Sequence, residues 1–292
     1  MRKTRTYRPS LEVLEGRINP AMFFPTTEAE LKADVVTANG NDEADVIDLA
    51  GQTITLTSEQ FGLSGLFVDL DNGNPASTLT IQNGTISRSM ELGTPRFRVV
   101  RTDGPLNLSN VTIQNGFVED IGGGVVAFGA DAILNITDST ISNNIAVEGE
   151  GGGDGGGVAV AFSASGTITN STISGNSAED DGGGVFFRVA STAEIYNSTI
   201  SNNFAGTTTG GGVFTDSTGT VISSTIIANN TSGTAPDLFD ATTGAIIVTD
   251  SLIETADGHT VNDGVNGNIV GQDPNTGPLQ NNGGSTETHA LL

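Results

Sequence analysis

Carboxylates recur at one point of a repeating pattern, always just ahead of a run of glycines: Glu119 and Asp120; Glu148, Glu150 and Asp154; Glu179, Asp180 and Asp181. If each repeat returns the chain to the same place one layer higher, equivalent carboxylates lie about 5 Å apart, and such a column repels itself unless a cation intervenes. Calcium takes several oxygens at flexible angles, so Ca2+ is the cofactor to consider, with Asp120, Glu150, Asp154, Asp180 and Asp181 as its candidate ligands. The blander reading is a solvated acidic loop. It is favoured, because the spacing is loose and the nonapeptide calcium repeat is absent.

Other chemistry-bearing residues are few. Arg96, Arg98 and Arg101 share one segment, and alternation puts Arg96 and Arg98 on the same side, which reads as one exposed strand face. Arg188 stands alone. His259 and His289 lie late in the chain, far from Asp180 and without an obvious partner. Cutting a sugar chain needs paired carboxylates, or a base beside a cation. No residue is assigned a catalytic role.

These residues are positioned by a repeat. The strand-like segments LTIQNGTIS, LNLSNVTIQNG, LNITDSTISNN, GTITNSTISGN, AEIYNSTISNN, GTVISSTIIANN and AIIVTDSLIE bring Ile86, Ile113, Ile141, Ile173, Ile200, Ile226 and Ile253 round at steps of about 27 residues, with Ile54 one step earlier. Period-2 alternation sets Leu134, Ile136, Ser139 and Ile141 against Asn135, Thr137 and Thr140. Units too short to bury a face alone must stack. The expected fold is all-β, a single-stranded right-handed parallel β-helix of about eight coils, with helix excluded from the repeats by their β-branched and Gly content.

Stacking turns repeated positions into columns. A structural ladder of turn residues, Asn83, Asn110, Asp138, Asn170, Asn197 and Asp250, with Ser223 between the last two, precedes each marker by three residues and suits the left-handed region. A second set, Asn115, Asn144, Asn176, Asn203 and Asn229, follows the markers at another corner. Thr85, Thr112, Thr140, Thr172, Thr199 and Thr225 form an outward Thr column, read as β-propensity on a solvent face. The runs GGGVVAF, GGGVAVAF, GGGVFF and GGGVF permit positive φ and close coil approach; phosphate cradling would need a helix next, and a strand follows.

Composition agrees. The 292 residues include 40 Gly, no Cys and no Trp, so the core must be thin layers of Ile, Val, Leu and Phe. A net charge of −23, with six of the 11 basic residues in the first 32 positions, excludes nucleic acid and anionic lipid as partners of the body. No apolar run is long enough for a transmembrane helix.

At these motifs the chain resembles polymorphic outer-membrane-protein-like and related pectate-lyase-like right-handed β-helix proteins of bacteria, over about residues 80–255. LKADVVTANGNDEADVIDLAGQTITLT (31–57) resembles a CSLREA-type opening without its Cys, and is expected to supply the amino-terminal cap. LEVLEGRINPA (11–21) resembles a LEPR-XLL-type sorting element, with Val13 in place of its central Pro. GPLQNNGGSTETHALL (277–292) is similar to a choice-of-anchor-type closing segment; in that family the segment runs on, and no anchor is expected within this chain. The resemblance implies residues 1–24 as an export tag, 25–78 as cap and first coils, 79–255 as the β-helix and 256–292 as a capping tail. It implies an exported, non-catalytic, adhesin-like module at the cell surface or outside the cell, binding a glycan or protein. The alternative is a carbohydrate-active β-helix, a polysaccharide lyase or glycoside hydrolase.

Overall fold

The computed structural model describes residues 20–41, 43–70, 77–190, 192–206, 209–242, 245–255 and 257–292. Most of the expected 1–24 tag therefore lies outside the described residues. The rest is a right-handed parallel β-helix. Each middle coil runs through a first sheet, a tight turn, a second sheet, a short fourth sheet and then a third sheet before rising one layer; the fourth sheet has four strands.

The middle coils show the plan. Ile133–Thr137 pairs in parallel with Pro105–Gln114 below and Ser165–Thr169 above, forming the first sheet. Thr140–Ser142 pairs with Thr172–Ser174, and that strand with Thr199–Ser201, in the second sheet. Ile145–Ala146 pairs with Phe117–Val118 and Ser177–Ala178 in the fourth. Val158–Ala161 pairs with Val125–Phe128 and Val185–Arg188 in the third. With about 4.8 Å per layer, eight coils make a rod roughly 35–40 Å long.

In-register pairing stacks like on like. Ile54, Ile86, Ile113, Ile141, Ile173 and Ile200 form one column with 0–2% exposure, and Leu106, Leu134 and Ile168 belong to the same continuous core. One register differs from expectation. Ile200 pairs with Ile227, so Ile227 carries the inward role and Ile226 faces outward, half-buried. Two adjacent isoleucines look alike in sequence; pairing with the coil below decides between them. The same one-residue offset makes Ser224, at φ 53°, the turn residue in place of Ser223, and moves Thr225 out of the outward Thr column.

A helix was not anticipated in the cap. α1 (Glu28–Asn39) buries Leu31, Val35 and Ala38 completely in the core. Its signal was in the sequence: Glu30 N donates to Thr27 Oγ1 at 3.2 Å, and Thr27 N to Glu30 Oε2 at 3.2 Å, a capping box of the form T-x-x-E. Glu28 then ties the helix to the first coil, accepting from Lys32 Nζ at 2.6 Å and Thr57 Oγ1 at 2.7 Å. Burial opposes its charge, but these donors prevail and hold the carboxyl at about 2.

At the far end, Asn268 Nδ2 donates to Val248 O at 2.8 Å, and Val261 packs on the core. Beyond this, Thr276–Gln280 and Thr288–Leu291 form an antiparallel hairpin that folds back along the rod.

Candidate functional site

The turn residues of the structural ladder sit between the first and second sheets. Asn83, Asn110, Asp138, Asn170, Asn197 and Asp250 all take the left-handed region, with φ between 50° and 60°. Asn110 Nδ2 donates to Asn83 Oδ1 at 2.8 Å, and Asn83 Nδ2 to Asp48 Oδ2 at 3.0 Å.

The second Asn set is two columns, not one. Asn115, Asn143, Asn202 and Asn229 are left-handed turn residues, whereas Asn144, Asn176, Asn203 and Asn230 are buried, at 0–5% exposure. The buried four make a ladder: Asn144 Nδ2 donates to Asn176 Oδ1 (3.0 Å), Asn176 to Asn203 (3.0 Å) and Asn203 to Asn230 (2.9 Å). Each second amide hydrogen goes to a carbonyl of the coil below, for Asn203 that of Ile173 at 3.0 Å. A parallel ladder of hydroxyls was not foreseen. Ser139 N donates to Ser171 Oγ at 3.2 Å, Ser171 N to Ser198 Oγ at 3.1 Å, and Ser198 N to Thr225 Oγ1 at 3.3 Å. Its signal is the Ser two residues before Ile141, Ile173, Ile200 and Ile253.

The glycine triplets serve these ladders. Gly182 has φ 66°; a Cβ on Gly183 would lie 2.4 Å from Phe204 O; a Cβ on Gly184 would lie 2.9 Å from Asn203 Nδ2. One glycine turns the chain, one lets backbones approach, and one leaves room for the buried amide.

The acidic corner leads into these triplets. Asp154 pairs in the stack with Ile121, and Ile121 packs with Val126, Ala159 and Phe186 on the outer face of the third sheet. The carboxylates are engaged by backbone donors of adjacent coils: Asp154 Oδ1 accepts from Asp181 N (3.0 Å), Asp180 Oδ2 from Gly153 N (3.1 Å), and Asp181 Oδ1 from Thr209 N (2.8 Å). Asp120 is instead an ion-pair partner of Arg98, at 2.5 Å, and Glu150 stands exposed. Among the described residues no group of three or more His, Cys, Asp and Glu is arranged to hold a metal. The five candidate calcium ligands do not converge on one point. Asp154 has the most perturbed chemistry: burial, then repulsion by Asp181 and Asp180, pushes its carboxyl up to about 6, against the Asp181 N–H and the charge of Arg188.

The three arginines do not form one exposed face. Arg98 is 2% exposed, donating to Ile121 O at 3.1 Å and to Asp120; Arg96 lies outside the strand, exposed, paired with Glu119. Arg101 holds Asp103 through two bonds, at 2.7 and 2.6 Å, and its guanidinium lies 4.9 Å from the Phe128 ring. The strand starts at Arg98, so alternation does not extend back to Arg96. On this outer face one register column runs Phe67, Arg101, Val126, Ala159, Phe186, Phe214, Phe239, the last three rings 5.1 and 5.5 Å apart.

Both histidines have partners. His259 Nδ1 accepts from Val261 N at 3.1 Å, while Nε2 contacts Thr255 O at 3.0 Å. His289 reaches Ser174 Oγ at 2.9 Å and Gly277 O at 2.7 Å. The Thr column is not a free solvent face either, because Thr140 and Thr172 are 0% and 4% exposed under the returning hairpin.

No helix of the described residues is long and apolar enough to cross a membrane. No curated protein and no solved structure matches the chain. Residues 96–286, more than half of the chain, match the family described as right-handed beta helix region, which is the stretch that carries the parallel ladders above. On that match and on its stacked parallel sheets, the chain belongs to the right-handed β-helix family.

Proposed function

We propose that this β-helix is a non-catalytic module of an exported surface protein, presenting an extended acidic rod that binds a glycan or a protein outside the cell. The observation that supports it is the outer face of the first sheet. Asn107, Asn135, Thr167 and Glu194 stack in one column there, and Ser109, Thr137, Thr169, Tyr196, Ser223 and Thr249 in the next, all half-buried. Some pair along the rod, as Asn135 Nδ2 with Asn107 Oδ1 at 2.9 Å. The result is an array of hydroxyls and amides with one carboxylate, Glu194, repeating about every 4.8 Å, with no basic side chain among the residues named. Such a face suits a neutral, hydroxyl-rich chain better than a polyanion.

The test is a glycan-array and matrix-protein screen of the full chain alongside Thr169→Glu, which adds charge to the middle of the array. Specific retention that Thr169→Glu abolishes supports the reading; absence of any retained ligand sinks it. A carbohydrate-active role is the second reading, favoured by Asp154, which keeps its proton to about 6 close to Asp180 and Arg188. Release of reducing ends or unsaturated product from neutral or acidic glycans, lost in Asp154→Asn, would replace the first reading with the second.

A further inference from the structure

The outer face of the second sheet is covered in a way the other faces are not. Thr286 Oγ1 donates to Asp138 O at 3.4 Å, Thr140 Oγ1 to Glu287 O at 2.7 Å, and Asn229 Nδ2 to Thr276 Oγ1 at 3.2 Å, while His289 Nε2 meets Ser174 Oγ at 2.9 Å. One short hairpin therefore crosses the coils of Ile141, Ile173, Ile200 and Ile227. Its footprint shows within one column. Thr140 and Thr172 are buried, while Thr112 below and Thr199 above are half-buried.

The attachment is polar. Its contacts are hydrogen bonds to hydroxyls, a carbonyl and an amide, the connecting residues 271–273 and 275 are exposed, and Leu291 and Leu292 are 67% and 79% exposed. Hydrogen bonds exchanged against water contribute little each, so such an attachment is separable from the fold of the rod.

We propose that the hairpin is a releasable strap, and that the face beneath it is a docking platform for an extended polypeptide segment, occupied in this chain by its own residues 286–291. Docked, the strap ties four coils together. Released, it opens two flat columns of small hydroxyl side chains, Thr140, Thr172, Thr199 and Ser142, Ser174, Ser201.

The chain has no cysteine, so a single reporter thiol is unambiguous. Thr172→Cys places it under the strap and leaves the Thr140 and Ser174 contacts intact. Its rate of reaction with a soluble disulfide reagent is measured in the full chain, alone and combined with Thr286→Ala and His289→Ala, with circular dichroism as the check on the rod. Slow labelling that rises at least tenfold in the weakened strap at unchanged dichroism, and falls again on adding a synthetic peptide of residues 284–292, is the expected result. Labelling as fast as a free thiol before any weakening, equal rates in both backgrounds, or no effect of the peptide would overturn the proposal.

Discussion

Asn230 donates from Nδ2 to Asp237 Oδ1 at 3.0 Å, so the buried amide ladder ends on a carboxylate that is itself 1% exposed. Asp237 Oδ2 accepts from Thr255 N at 2.7 Å. Every amide below passes its hydrogen upward, and the last must meet an acceptor with no hydrogen of its own to place, which an ionised carboxylate supplies and another Asn would not. Burial pushes the Asp237 carboxyl up, against the donors from Asn230 and Thr255.

Cutting this ladder in the middle has a defined cost. Asn203→Ala orphans one amide hydrogen of the Asn176 side chain and its backbone N–H, both of which donate to Asn203 Oδ1 at 3.0 Å, and removes the donor to Ile173 O. The expected destabilisation is about 2–4 kcal/mol, read as a lower urea midpoint. A midpoint within error of the parent chain would contradict the ladder.

Two glycines separate steric from conformational need. Gly183→Ala drives a Cβ to 2.4 Å from Phe204 O and 2.5 Å from Gly211 O, for an expected loss of about 3 kcal/mol. Gly219→Ala meets nothing within 4 Å and faces only the strain of φ 81°, for an expected loss of about 1 kcal/mol. Equal losses in thermal or urea unfolding would refute this ranking.

Asp154 sets a pH dependence of unusual sign for a carboxylate. Its folded value, about 6, lies above the ordinary 3.8, so the folded chain binds the extra proton and this contribution to stability falls as pH rises from about 4 to 6. Asp154→Asn retains an acceptor for Asp181 N–H without the charge. It is expected to raise Tm by a few degrees at pH 7.5 and to flatten the decline between pH 4 and 6, as calorimetry across that range would show. A lower Tm at pH 7.5 would count against the assignment.

Calcium is expected to matter little. With the carboxylates of Asp154, Asp180 and Asp181 each accepting a backbone N–H, Tm should be the same in millimolar calcium and in EDTA. A rise of several degrees with calcium would reinstate the acidic corner as a metal site.

Much of the architecture is legible before any coordinates. Period-2 alternation around Ile141 and Ile173, repeated at nearly constant spacing, leaves stacking as the way to bury those residues. What eluded the reading depends on neighbouring coils. Whether Ile226 or Ile227 points inward is decided by Ile200 beneath, and whether Asn143 or Asn144 is the buried amide by the space that Gly124 leaves. His289 looks isolated because its partner, Ser174, is 115 residues away in sequence. For the candidate sites, residue types were visible in sequence and their pairing was not. Asp120 reads as a metal ligand until Arg98 is found against it.

The corner between Ala146 and Val158 holds five residues more than the one between Ala178 and Val185, yet the strands on either side keep their partners in register. Layers and loops are thus independent variables in this molecule. Whole coils can be duplicated because each presents the same seats above and below, and this corner can take foreign segments without disturbing them. The scaffold works as a cassette whose reach is set by the number of turns and whose decoration is set at its corners.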